Sequence, residues 1–128
     1  MTSSAPARIL VVDDNVDAAE TLTTFLEMIG MEARAVHDGS AAVQAALSFA
    51  PDLVLLDIGL PGMNGYEVAR AMRSQPQLAG VTLVALTGWG AEDDRKRAMD
   101  AGFNHHLTKP VDLSVLEEML QRAHAARG

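Results

Sequence analysis

The chain has 128 residues, enough for one compact domain and too few for two. A net charge of −7 argues against a nucleic-acid-binding module and against an anionic membrane surface, since both need a basic face. The absence of cysteine excludes a disulfide framework and any thiolate metal site, and it fits a reducing, cytoplasmic location.

Met1 to Ala7 is rich in Ser, Thr, Ala and Pro, has no basic cluster leading an apolar core, and reads as a disordered N-terminal tail, not a signal peptide. Arg8-Ile9-Leu10-Val11-Val12 is a nearly continuous apolar run, the pattern of a strand covered on both faces. Asp13 to Gly30 carries Ala18, Leu22, Phe25, Leu26 and Ile29 at helical spacing, with Gly30 as the stop. Glu32 to Val36 alternates polar and apolar, predicting a more exposed strand. Asp38-Gly39 reads as a turn before a helix carrying Ala42, Val43, Ala46, Leu47 and Phe49.

Leu53 to Leu56 is the most apolar strand. The segment Ile58-Gly59-Leu60-Pro61-Gly62-Met63-Asn64-Gly65 follows it and reads as a loop. A short helix over Glu67 to Arg73 comes next, then a fourth strand over Val81 to Leu86. Glu92 to Ala101 is a polar helix stopped by Gly102, and Phe103 to Leu107 is a fifth strand. Leu113, Leu116, Leu120 and Ala123 line the last helix, whose start is marked by Pro110 and by Asp112 as N-cap. No run approaches the roughly 18 apolar residues of a membrane span.

Strictly alternating strands and helices predict an α/β fold, a five-stranded parallel sheet covered on both faces, with the order 2-1-3-4-5. In such sheets ligands bind beyond the carboxyl ends of the strands, where the strand order reverses. Asp13 and Asp14 follow the first strand, Asp57 the third, Thr87 the fourth, and Lys109 with Pro110 the fifth. Three crowded carboxylates raise one another's pKa unless a cation intervenes, and an all-oxygen ligand set points to Mg²⁺, or Mn²⁺ in its place. Asp57 is then an ionised nucleophile for a phosphoryl group, with Lys109 and Thr87 to receive the phosphoryl oxygens.

Asp13-Asp14 after an apolar strand, Asp57 followed by Leu60-Pro61-Gly62-Met63-Asn64-Gly65, Thr87-Gly88, and Lys109-Pro110 together resemble the receiver domain of two-component response regulators. The resemblance runs from about Arg8 to about Ala123, and residues 8–126 are expected to form the receiver domain. It implies a flavodoxin-like (βα)5 sandwich phosphorylated on Asp57 from a phosphohistidine of a histidine kinase or a histidine phosphotransfer protein. It implies Mg²⁺ held by Asp14, Asp57 and the backbone carbonyl of Gly59, with Asp13 acting through a metal-bound water. A cis bond between Lys109 and Pro110 is implied as well. On this reading the protein is a signalling phosphoacceptor and not an enzyme acting on external substrates.

The same resemblance implies a switch in which the Thr87 hydroxyl is drawn inward and an aromatic on the fifth strand follows it. That motion would remodel a partner-binding face of fourth helix, fifth strand and fifth helix. Here the aromatic position is His106, where Tyr or Phe is usual. Gly59 and Trp89 occupy the two positions that tune phosphate lifetime. Thr87-Gly88-Trp89-Gly90 and His105-His106-Leu107-Thr108-Lys109-Pro110 look like receivers joined to hybrid sensor kinases, so a single-domain shuttle and a module of a larger protein both stay open.

Two rivals compete with this reading: a Mg²⁺-dependent phosphohydrolase with an Asp nucleophile, and a degenerate receiver that binds partners without phosphorylation. The phosphatases place a second acid two residues after the nucleophile, where this chain has Gly59. His105 and His106, adjacent on a strand, point to opposite faces and are poorly placed to share a metal. His37 and His124 read as surface positions, and Glu92 to Arg97 as a solvated helix face.

Overall fold

The computed structural model describes residues 7–60, 64–88 and 92–127, with the side chains of 92–95 and 123–127 set aside. The tail expected over Met1 to Ala7 therefore lies, apart from Ala7, outside the described residues, as does Trp89.

Five strands form one parallel sheet: β1 (Arg8–Val12), β2 (Glu32–Val36), β3 (Leu53–Asp57), β4 (Thr82–Thr87) and β5 (His105–Thr108), in the order β2-β1-β3-β4-β5. The helices are α1 (Val16–Met28), α2 (Gly39–Phe49), α3 (Gly65–Arg73), α4 (Glu92–Ala101) and α5 (Leu113–Arg127). This is the flavodoxin-like arrangement that the strand and helix alternation predicts. No helix among the described residues is long and apolar enough to cross a membrane.

The sheet separates two cores, and strand periodicity explains why. Successive side chains alternate faces, so Leu10, Val12, Val54 and Leu56 join Ala42, Val68, Met72 and Ala98 of α2, α3 and α4 on one side. Ile9, Val11, Leu53 and Leu55 meet Leu22 and Leu26 of α1 and Leu116 and Leu120 of α5 on the other. Strands buried on both sides cannot alternate polar and apolar residues, which is why β1 and β3 read as continuous apolar runs. The edge strand β2 keeps its alternation, with Glu32 and Arg34 exposed.

Register aligns the strand ends. Leu10 lies opposite Val54 and Val12 opposite Leu56, so Asp13 and Asp57, each one residue further on, stand level at the same rim.

Local structure departs from the sequence reading at several boundaries. Asp38-Gly39 is no turn: Asp38 is the N-cap of α2, accepting from the Ala41 amide, and Gly39 is already helical. Gly65 opens α3 behind a capping box in which Asn64 and Glu67 satisfy each other's amides. That glycine answers to space, because a Cβ there would lie 2.4 Å from Ile58 Cα and 2.7 Å from Asp57 O. A short 3-10 helix, Pro76–Leu78, stands where no element was expected. β5 starts at His105, with Phe103 buried ahead of it in the core.

Arg73, at the end of α3, ties distant segments together. Its guanidinium donates to the carbonyls of Leu78, Ala79, Val81 and Gly102 and to Asn104 Oδ1, whose oxygen also accepts from the Leu83 amide. Gly102 sits at φ +108°, and a Cβ there would come within 2.8 Å of Arg73 Cγ. Both facts make glycine the fitting residue at that helix end.

Candidate functional site

Each acidic residue is positioned by backbone that the sheet fixes. Asp13 leaves β1 with its amide bonded to Val36 O at 3.1 Å, extending the ladder one residue past the strand. Its Oδ1 accepts from the Asn15 amide at 3.0 Å, while Asn15 Oδ1 caps α1 through the Ala18 amide. Asp57 is the last residue of β3, and its Oδ1 accepts from the Gly59 amide at 2.8 Å. Asp14 is exposed beside them.

One carboxylate oxygen from each of Asp13, Asp14 and Asp57 lies within 4.8 Å of the others, the one such group of potential metal ligands among the described residues. Lys109 reaches in from the end of β5, with Nζ 2.7 Å from Asp57 Oδ2 and 3.3 Å from Asp13 Oδ2. The Lys109–Pro110 peptide is cis. Lys109 N donates to Thr87 O at 2.7 Å, joining the ends of β4 and β5. A cleft of about 480 Å³, lined by Asp57, Ile58, Gly59, Tyr66, Gly88 and Lys109, opens beside the Asp57 carboxylate.

The electrostatics follow from burial. Asp13 is 1% exposed, and desolvation raises its carboxyl above the ordinary carboxylate range. The Asn15 amide and the Lys109 ammonium work against that rise, and the Asp57 charge adds to it. Burial pushes the Lys109 ammonium down, but its hydrogen bond to Asp57 and the charges of Asp57 and Asp13 outweigh this and hold it above its usual value. Asp13 Oδ2 is buried and accepts no hydrogen bond from any described residue; its one compensation is the ion pair with Lys109. A buried carboxylate oxygen with no hydrogen-bond donor, beside two further carboxylates, fits a hard divalent cation, so the acid trio is able to bind a metal.

Several sequence-derived candidates sit differently. Thr87 is buried at the end of β4, and its hydroxyl donates to Leu107 O at 3.4 Å, toward β5. His106 pairs with Ala85 and so shares the α4 side of the sheet, half-buried, while His105 pairs with Val84 on the opposite side. His37 is exposed, as expected of a surface position, yet its Nδ1 lies 3.0 Å from Asp13 O, a link that no local signal announced. The Arg97 guanidinium stands 4.5 Å from the centroid of the Tyr66 ring, so one residue of the supposedly solvated α4 face packs against a wall of the cleft.

The fold and this acid-lined rim define a doubly wound α/β module with its ligand site at the point where the strand order reverses. Residues 9–121 match the response regulator receiver domain, and the chain belongs to that family, a class of phosphoacceptor signalling modules.

Among its relatives, the DNA-binding dual master transcriptional regulator RpaA of Synechocystis is 34% identical over 118 residues, covering 92% of this chain and 48% of that protein. The chain thus spans about half of that regulator's length. The receiver domain of the sensor histidine kinase PA1611 of Pseudomonas aeruginosa is 34% identical, with a TM-score of 0.84 over 92% of this chain and 97% of that one. A magnesium ion is coordinated in the active-site cleft of that structure. The chemotaxis protein CheY4 of Vibrio cholerae is 28% identical, with a TM-score of 0.87 over 93% of this chain and 99% of that one.

Proposed function

We propose that this chain is a Mg²⁺-dependent phosphoacceptor in which Asp57 receives a phosphoryl group from a phosphohistidine of a histidine kinase or histidine phosphotransfer protein. The observation that carries the reading is the single ammonium of Lys109 placed 2.7 Å from Asp57 Oδ2, with Asp13 and Asp14 beside it. In the transfer, an Asp57 oxygen bonds to phosphorus as the phosphorus–nitrogen bond breaks, and the electron pair stays on the donor imidazole. Asp57 is short of donors on neither side, since Gly59 holds Oδ1 and Lys109 holds Oδ2. Lys109 then follows the negative charge onto a phosphoryl oxygen, and Thr87 turns its hydroxyl from Leu107 O to another.

Asp14, Asp57 and the Gly59 carbonyl would hold the cation, with Asp13 acting through its water. Bound there, Mg²⁺ supplies positive charge that offsets the approach of an anionic phosphoryl group to ionised carboxylates. Mn²⁺ satisfies the same ligand chemistry. Residues 8–126 are the receiver unit on this reading. Its readout is a population shift that changes partner affinity on the face of α4, β5 and α5, with His106 as the ring that follows Thr87. The likeness to the whole CheY4 chain and to the receiver of a sensor histidine kinase supports either a single-domain regulator or a module of a hybrid kinase, acting in the cytoplasm.

Incubation with Mg²⁺ and a small-molecule phosphodonor, followed by intact-mass measurement, tests this directly. The wild type should gain one phosphoryl group, and Asp57→Ala or omission of Mg²⁺ should suppress it. Equal labelling of the Asp57→Ala protein, or no labelling of the wild type, would overturn the assignment.

A further inference from the structure

We infer that His37 is a positioning residue for the cation site, acting through the Asp13–Asp14 peptide; this rests on the metal-dependent reading above. β1 and β2 run parallel, and Asp13 N donates to Val36 O, the last regular bond between them. In a parallel ladder the next donor to reach Asp13 O would be the amide of Asp38. That bond is not formed; Asp38 is still extended but serves as the N-cap of α2, its side chain engaged by Ser40 and Ala41. The imidazole of His37 takes over the position, 3.0 Å from Asp13 O. A carbonyl oxygen only accepts, so Nδ1 carries the proton in this contact.

The consequence falls on two acids at once. The Asp13 carbonyl belongs to the peptide joining Asp13 to Asp14, so its orientation sets the direction in which both carboxylates leave the end of β1. That peptide is held from behind by His37, while Asn15 N holds Asp13 Oδ1 and Lys109 faces Oδ2. Without the His37 donor the peptide plane is free to rock, and the two acids keep their chemistry but lose their fixed separation. Outer-shell donors of this kind tune metal affinity while touching no metal.

The variants that test this are His37→Ala, which removes the donor, and His37→Asn, whose side-chain amide nitrogen sits about where Nδ1 does. Mg²⁺ binding to the full chain is measured by titration calorimetry, alongside melting temperature and mass-detected phosphorylation at saturating Mg²⁺. His37→Ala should weaken Mg²⁺ binding roughly tenfold, the low end for loss of an outer-shell donor. His37→Asn should restore it to within about twofold of wild type, with both variants labelled fully on Asp57 once Mg²⁺ saturates. Unchanged Mg²⁺ affinity in His37→Ala, or equal weakening in both variants, would overturn the inference while leaving the acceptor reading intact. A wild type that binds no Mg²⁺ overturns both together.

Discussion

Lys109 Nζ lies 2.7 Å from Asp57 Oδ2 and 3.3 Å from Asp13 Oδ2, so one ammonium just past β5 balances carboxylates at the ends of two other strands. Because this ammonium is held above its usual 10.5, its contribution to stability is complete below that value and is lost as pH rises through the folded value above it. Lys109→Met should therefore cost stability at neutral pH, about 1–3 kcal/mol given that the lysine itself is partly exposed. Urea unfolding should also show the wild type losing stability in strongly alkaline solution, where the variant has no amine at this site to titrate. Added Mg²⁺ should recover part of the loss in the variant.

Asp13 is raised as well, but here it is the neutral form that folding favours. Its carboxyl is raised above 3.8 by burial, so its contribution favours folding below that value and is lost as pH climbs through the folded value. At neutral pH the ionised group opposes folding. Asp13→Asn keeps the Oδ1 acceptor for Asn15 and removes the charge, and should raise the metal-free melting temperature at pH 7 by roughly 2–5 °C. Calorimetric scans should show that advantage disappearing in acid below pH 3.8, where Asp13 is protonated in either state. The thermal shift that Mg²⁺ gives the wild type should be weaker in the variant.

Arg73 feeds four carbonyls and Asn104 from one guanidinium. Arg73→Ala leaves partly buried acceptors without donors and should cost about 2–4 kcal/mol. Arg73→Lys should rescue little, since a single ammonium cannot span the same fork. Denaturant midpoints of the two variants, read beside phosphorylation of the folded fraction, check this. Near-wild-type stability for Arg73→Lys would show that the charge matters and the fork does not.

Gly65 is confined by backbone, with Ile58 Cα and Asp57 O inside the radius a methyl group needs. Gly65→Ala must push α3 away from the end of β3 and should cost about 1–3 kcal/mol. Phosphorylation should slow as well, because the displaced backbone is that of Asp57 itself. Labelling rate and urea midpoint should fall together; a change in only one would contradict the shared cause.

The central strands and the rim residues were legible because burial on both faces leaves an unbroken apolar signature and because strand order fixes which ends meet. Asp13, Asp57 and Lys109 could be placed together on that logic alone. Gly39 and Gly65 were misread as loop glycines, since glycine's rarity inside helices says nothing of a cap residue standing just before it. Arg73 was invisible for another reason: its acceptors come from chain positions between 78 and 104, and a single arginine ending an amphipathic helix looks like any solvated one. His37 meets Asp13 only through strand pairing, which turns a separation of 24 residues into a hydrogen bond.

Two arginines link α4 to its surroundings at separate points. Arg73 grips the chain at Gly102, immediately past the helix's carboxyl end, and Arg97 lies against Tyr66 at the wall of the cleft beside Asp57. α4 is thus tied to α3 just past its carboxyl end and to the cleft wall near its middle, by two contacts that can be removed separately.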